Sequence, residues 1–170
     1  MNTIWTYIQR LVGNGKSASI GIFLFILLLA FMFWHSARAA EVDLQAGSSF
    51  GTEGYGPVLG LTYRQSIQPG LNWYAGTDLW GTTQLAGQTV NNNFDWHLGL
   101  EGCKGRFCAG IGPAFVQRID AINGAHTNFY LGVRYALTDR CSLVIGHISD
   151  AGTTVPNIGR QMISLTYRFQ

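Results

Sequence analysis

The chain has 170 residues and a formal net charge of +2, and only 12% of its residues are charged. A positive balance that weak, with no basic cluster, argues against a nucleic-acid partner. Low charge together with 22 glycines and 13% aromatic residues is also unusual for a water-soluble domain.

At the N-terminus, Arg10 and Lys16 precede an apolar run from Ile20 to Trp34, followed by "HSARAAE" with Ala37 and Ala39 in the small-x-small pattern of a signal-peptidase site. This predicts an exported protein with residues 1–39 as a signal peptide and 40–170 as the mature domain. The alternative is an uncleaved anchor helix, for which the run is shorter than the ~20 residues a span needs.

Beyond residue 40 the apolar residues recur every second position, broken by Gly, Pro, Asn and Asp. Leu59, Leu61 and Tyr63 oppose Gly60, Thr62 and Arg64. Phe94, Trp96, Leu98 and Leu100 oppose Asp95, His97, Gly99 and Glu101. Phe129, Leu131, Val133, Tyr135 and Leu137 oppose Tyr130, Gly132, Arg134 and Ala136. Ile163, Leu165, Tyr167 and Phe169 oppose Met162, Ser164, Thr166 and Arg168. One face is large and apolar, with aromatics towards its ends; the other is small or charged. A soluble sandwich seldom makes its polar face so rich in Gly. A closed barrel with lipid outside and a narrow packed lumen does, and only closure satisfies every strand hydrogen bond in hydrocarbon.

The alternation predicts an all-β, eight-stranded antiparallel transmembrane barrel, with strands at about 41–50, 55–67, 71–84, 93–103, 106–118, 127–138, 141–149 and 160–169. Alternate connections are short ("QPG", "KGR", "TDR") and the others longer ("TEG", "LAGQTVNN", "DAINGAH", "DAGTTVPNIG"), the asymmetry of bacterial outer-membrane barrels, whose short turns are periplasmic. Such a barrel is filled by side chains and is not a channel. The terminal "LTYRFQ", with an aromatic next to Gln170, resembles the signal read by the outer-membrane assembly machinery.

Cys103 and Cys108 bracket "KGRF" and could pair across a hairpin, leaving Cys141 over; the alternative is three free thiols. Neither a CxxC nor a zinc-like His/Cys spacing is present, so no metal is expected. Asp95, His97 and Glu101 share the interior face, where charges filling a lumen are commoner than an acid/base centre, and Arg64, Arg134 and Arg168 are their expected partners. His126 falls in a loop and is expected to be solvated. The "GIGP" at Gly110 to Pro113 lies inside a strand and lacks the following Lys of a phosphate loop. Trp73, Trp80 and Trp96 are expected as membrane-interface anchors.

The stretch "GHISDAGTTVPNIGRQ" carries the candidate chemistry. Alternation puts His147 and Ser149 outward with Leu143 and Ile145, while Ser142, Val144 and Gly146 face inward. Gln161, in phase with Ile163 and Leu165, also faces outward. Three polar groups thus meet on the lipid side near the longest loop. Unpartnered, each costs on the order of a kcal/mol against lipid. A place at the headgroup level would remove that cost. The functional alternative is nucleophilic catalysis, in which a base activates the Ser hydroxyl and a third group holds the imidazole's tautomer.

The residues His147, Ser149, Ala151, Gly152, Pro156, Asn157 and Gly159 match the pattern H-x-S-x-A-G-x-x-x-P-N-x-G. The segment resembles the signature of the outer-membrane lipid A 3-O-deacylases of PagL type. The match covers the last two strands; elsewhere the likeness is one of architecture. The resemblance implies His147 as general base, Ser149 as nucleophile, and Asn157 with the backbone around Gly152 as oxyanion donors. It implies as substrate the ester-linked acyl chain at the 3-position of lipid A in lipopolysaccharide, reached sideways from the outer leaflet, with no cofactor. Two positions depart from the family. Gln161 stands where the family has an acid, and Asp150 follows the Ser where Asn is usual. Gln161 can orient a His through its amide oxygen but carries no charge. Asp150 could supply one, though its strand position aims it at the other face. The rival readings are a non-catalytic small barrel of surface-interaction type and an acyltransferase of similar size.

Overall fold

A computed structural model describes residues 40–50, 54–150, 152 and 158–169. The chain divides between Arg38 and Ala39, and the described residues all lie in the second unit. The expected signal peptide lies outside the described residues, as do Ala151, Pro156, Asn157 and Gln170.

The strands are β1 (Ala40–Phe50), β2 (Gly56–Gln68), β3 (Leu71–Trp80), β4 (Thr83–Leu85), β5 (Gln88–Val90), β6 (Asn93–Lys104), β7 (Phe107–Val116), β8 (Thr127–Ala136), β9 (Cys141–Ser149) and β10 (Arg160–Phe169). Eight of them close an antiparallel barrel in the order β1-β10-β9-β8-β7-β6-β3-β2, and β4 and β5 form a separate hairpin. The seam is β1 against β10, running from Val42↔Phe169 to Phe50↔Gln161. Closure leaves no open sheet edge, the condition for strands surrounded by hydrocarbon.

Burial follows the two-residue period. Along β10, Arg160, Met162, Ser164 and Thr166 are buried, and Ile163, Leu165, Tyr167 and Phe169 are exposed. Exposed apolar side chains such as Leu44, Leu59, Leu98, Leu100, Ile111, Leu131 and Val133 form the outer belt. Among the described residues no helix is long and apolar enough to cross a membrane.

Two features differ from the sequence expectation. The third strand stops at Trp80, not residue 84, and the long connection that follows folds as the β4–β5 hairpin. Its two central residues, Ala86 and Gly87, both have positive φ (49° and 81°), the geometry that matches a two-residue turn to strand twist. Trp80 is no interface anchor. It is in phase with Tyr74 and Asp78, is 1% exposed inside the barrel, and donates its indole N–H to Asp95. Trp73 and Trp96 are half-buried and face outward; Trp96 meets Phe115 edge-on at 5.5 Å.

The lumen is filled in layers. Nearest the short turns, Arg168 pairs with Glu41 (2.7 Å) and Asp43 (3.4 Å), so its partners are these two and not the β6 acids. Arg64 joins Asp43 to Glu101, and Arg134 Nη2 reaches Glu101 Oε2 at 2.9 Å. The Cys103–Cys108 disulfide closes this end, across a directly opposed strand pair; Cys141 is a free thiol. Above lies an aromatic layer, with His97 stacked on Tyr130 at 4.2 Å and Tyr74 edge-on to Tyr130 at 5.9 Å. Gly76 makes room for that imidazole, since a Cβ there would sit 2.4 Å from His97 Nε2. His97 Nδ1 lies 3.1 Å from Asp95 Oδ1. At the long-loop end Arg160 pairs with Asp120 and lies over the Trp80 ring, 5.4 Å from its centroid.

Removing one partner of a buried ion pair leaves the other charge uncompensated, at a cost of about 3–5 kcal/mol. Glu101 answers both Arg64 and Arg134. Glu101→Gln is expected to lower the unfolding free energy of the detergent-refolded barrel by about 3 kcal/mol, read as a lower urea midpoint on the folded-to-unfolded gel shift. A midpoint equal to the parent's would show that the network does not stabilise the fold.

Candidate functional site

The last two barrel strands carry the site. In β9 burial alternates, with Ser142, Val144, Gly146 and Ile148 buried and His147 and Ser149 half-buried on the outer face. Ile148, between them, is fully buried. In β10 Gln161 is half-buried on the outer face, flanked by buried Arg160 and Met162. The register sets Gln161 directly opposite His147. Opposed residues hold their Cβ atoms ~4.5–5.5 Å apart, and His147 and Ser149, two apart on one strand face, are ~6–7 Å apart by Cα. All three sit within side-chain reach at the long-loop end of the outer wall.

Apolar residues surround them. Phe129 opposes Ser149 and Leu131 opposes His147 on β8, and Phe50 opposes Gln161 on β1. Phe129 and Leu131 are about half exposed. Among the described residues the hydroxyl and the imidazole are not hydrogen-bonded to one another. Such contacts are often long in unliganded sites and tighten on substrate.

Gly159 adds a contact that the sequence pattern did not announce. It has φ +74°, and a Cβ on it would lie 2.6 Å from His147 Cε1 and 3.1 Å from Ser149 Cβ. Its bare backbone therefore backs the imidazole directly. The segment is held in turn by the loop between β7 and β8, where the Ile122 carbonyl accepts the N–H of Ile158 (3.1 Å) and of Gly159 (3.4 Å).

Asp150, one residue past the end of β9, is buried, at 2% exposure, in phase with buried Ile148 and not with Ser149. Its Oδ1 accepts the Gly152 N–H at 3.1 Å. Gly152 is exposed and has φ +81°. Asn157 lies outside the described residues. His126 is exposed, as expected of a loop residue, but its Nδ1 lies 2.8 Å from the Val116 carbonyl and its ring stacks on Phe115.

The interior cluster is a second concentration of titratable groups. Asp78, Asp95 and His97 bring three ligand-type atoms within 4.8 Å of one another. They are engaged inside the protein, however. Asp78 accepts from Gln45, and Asp95 faces both Trp80 and His97. The cluster is sealed in the lumen, away from the outward-facing polar trio.

Sequence reasoning placed His147, Ser149 and Gln161 together and missed Gly159, Ile122 and Asp120. Gly159 was visible as the last position of the motif, but its nearness to His147 depends on the pairing of β10 with β9. Ile122 and Asp120 carry no local signal.

The chain is similar to several known proteins. In the solved structures, the outer-membrane enzyme PagL is similar at 22% identity and a TM-score of 0.52, over 76% of this chain and 99% of that one. The Yersinia pestis outer-membrane protein Ail is similar at 11% identity and 0.48, over 76% and 99%. Neisserial surface protein A is similar at 12% identity and 0.41, over 76% and 96%. No curated protein sequence matches. The family model described as lipid A 3-O-deacylase (PagL) matches residues 29–170, so the chain belongs to that family of outer-membrane barrels.

Proposed function

We propose that this barrel is an ester hydrolase that removes the acyl chain at the 3-position of lipid A, working from the outer wall with Ser149 as nucleophile and His147 as base. The observation that carries this reading is the register: a hydroxyl and an imidazole on one outward face, with an amide directly opposite the imidazole, at the long-loop rim of a barrel of this family.

Lipid A reaches the site sideways from the outer leaflet, its acyl chain running down the apolar wall beside Phe129 and Leu131. The Ser149 Oγ attacks the ester carbonyl while His147 takes its proton. The tetrahedral oxyanion is met by Asn157 and by backbone N–H groups around Gly152. In the unliganded protein the Gly152 N–H donates to Asp150, so that bond gives way if Gly152 serves. His147 returns the proton to the departing sugar hydroxyl. Water, its proton taken by His147, then attacks the acyl carbon, and the Ser149 oxygen leaves, takes that proton back and frees the fatty acid. Gln161 holds the imidazole through its amide oxygen but adds no charge to balance the imidazolium.

The Gln at position 161 is also the observation that favours the second reading, a barrel that keeps the scaffold without the chemistry. Mass spectrometry of lipid A from cells expressing the protein separates the two. Loss of a 3-linked hydroxyacyl chain, abolished at least about 10³-fold by Ser149→Ala, supports the hydrolase. Unchanged lipid A beside well-folded protein supports the bare barrel, and transfer of a phospholipid acyl chain onto lipid A would mark an acyltransferase.

Two variants test the roles of individual positions. Gln161→Glu restores a charge opposite His147 and should raise the hydrolysis rate by about tenfold or more. A rate below the parent's would remove position 161 from the site. Gly159→Ala forces a methyl group onto His147 Cε1 at a backbone angle that disfavours any side chain. It should cost about 10²-fold in kcat while the barrel still folds. A parent-like kcat would show that the Gly159 backbone does not set the imidazole.

A further inference from the structure

The loop at 117–126, between β7 and β8, folds over the long-loop end of the barrel and is tied to the wall that carries the site. Its centre is Asp120. Oδ1 accepts the backbone N–H of Ile122 (2.9 Å) and of Asn123 (3.0 Å), closing a tight turn. Oδ2 accepts from Asn93 Nδ2 (2.7 Å) and pairs with Arg160. One carboxylate therefore joins the loop to β6 on one side and to β10 on the other. Arg160 is 1% exposed and adjacent to Gln161. The turn also sets the direction of the Ile122 carbonyl, which holds the Ile158 and Gly159 amides, and Gly159 lies so near His147 and Ser149 that a Cβ on it would collide with both.

From this chain of contacts we infer that Asp120 is a positioning residue for the His147–Ser149 pair, acting through the Ile122 carbonyl on the Gly159 backbone and through Arg160 on the start of β10. The inference rests on the proposed hydrolase for its catalytic consequence, but not for its physical content. Asp120 touches neither His147 nor Ser149. Its carboxylate matters because a neutral or shorter side chain cannot serve two loop amides and a buried guanidinium at once. Asp120→Asn keeps one oxygen for the loop but turns an N–H group towards either Arg160 or the amides. Asp120→Ala releases all four partners.

The test uses the full mature barrel refolded in detergent, with three readouts. Amide exchange by NMR is followed at Ile158 and Gly159, with Val144 and Ser164 in the barrel wall as references. The ring resonances of His147 are recorded, and the hydrolysis of lipid A is measured. In Asp120→Ala, exchange at Ile158 and Gly159 should quicken by about tenfold or more with the reference amides unchanged. The His147 ring resonances should shift, and kcat should fall by about 10²-fold with KM within about twofold of the parent. Asp120→Glu should recover part of the kcat, which a simple packing defect would not allow. If Asp120→Ala does not fold, Asp120→Asn replaces it, with the same changes in smaller measure. Unchanged exchange at Ile158 and Gly159 overturns the inference, as does quickened exchange with His147 resonances and kcat like the parent's. A parent that does not hydrolyse lipid A overturns the functional reading alone. In that case the His147 ring resonance decides the coupling: a shift in the Asp120 variant supports it and no shift overturns it.

Discussion

The rest of the structure depends on one constraint: a backbone crossing hydrocarbon has nothing but itself to hydrogen-bond to. The chain meets this by closing β1 against β10. Once the cylinder is closed, every residue's direction is set by parity, and no strand can slip by one residue without turning its apolar side chains into the lumen. An outward-facing site can then be assembled in only two ways, from residues two apart on one strand and from residues directly across a strand pair. His147 with Ser149 uses the first and His147 with Gln161 uses the second. The meeting of these three side chains is a consequence of the pleat.

The same parity explains how groups on the wall can be held firmly although they face fluid lipid. Each alternates with an anchor inside. Ile148 separates His147 from Ser149, and Arg160 and Met162 flank Gln161; all three anchors are at most 1% exposed. A shift of the outward trio requires a shift of side chains packed in the lumen, where vacant space is scarce and each charge has a partner. The buried ion network and the aromatic layer therefore do for the outer wall what a hydrophobic core does for a cleft in a soluble enzyme. The hydrogen bonds from Ile158 and Gly159 to Ile122 extend that support past the end of the strands.

What the sequence disclosed follows the same division. Strand number, face and the meeting of His147, Ser149 and Gln161 were legible because period two is a local property. The Arg64–Glu101–Arg134 layer was legible as like-phased charges, and Arg64 and Arg134 pair with this acid of β6 as expected. Arg168 went to Glu41 and Asp43 because the seam brings β1 beside β10, a contact between chain ends that no local pattern records. Trp80 was misread by residue type; its phase with Tyr74 and Asp78 already pointed inward, and parity outweighs the usual preference of Trp for an interface. The β4–β5 hairpin was hidden because Ala86, and not Gly, takes the first positive φ of its turn. The roles of Asp120, Ile122 and Gly159 were illegible because they arise where two loops meet, far apart in sequence.

The amide at position 161 is the place where physical costs can be weighed against each other. A carboxylate on the lipid face would be expensive at mid-membrane, but near an interface the cost falls to ~0–1 kcal/mol. Position 161 lies at the rim, second residue of its strand and beside the long loop. Against that small cost stands, in the proposed hydrolase, the benefit of an acid to the imidazolium, where replacement of a triad acid by an amide has cost up to ~10⁴ in rate, or about 5.5 kcal/mol. Avoiding charge at the membrane therefore does not account for Gln161. Nor does packing, since Gln and Glu are nearly the same size. The acid nearest in sequence, Asp150, is buried on the opposite parity and engaged with Gly152, so it does not stand in for the missing acid. What remains at position 161 is a group that can fix the tautomer of His147 but not its charge. In the proposed hydrolase such a site would keep the orientation part of a triad and give up the electrostatic part, and its rate would then depend all the more on how firmly the backbone behind the imidazole is held.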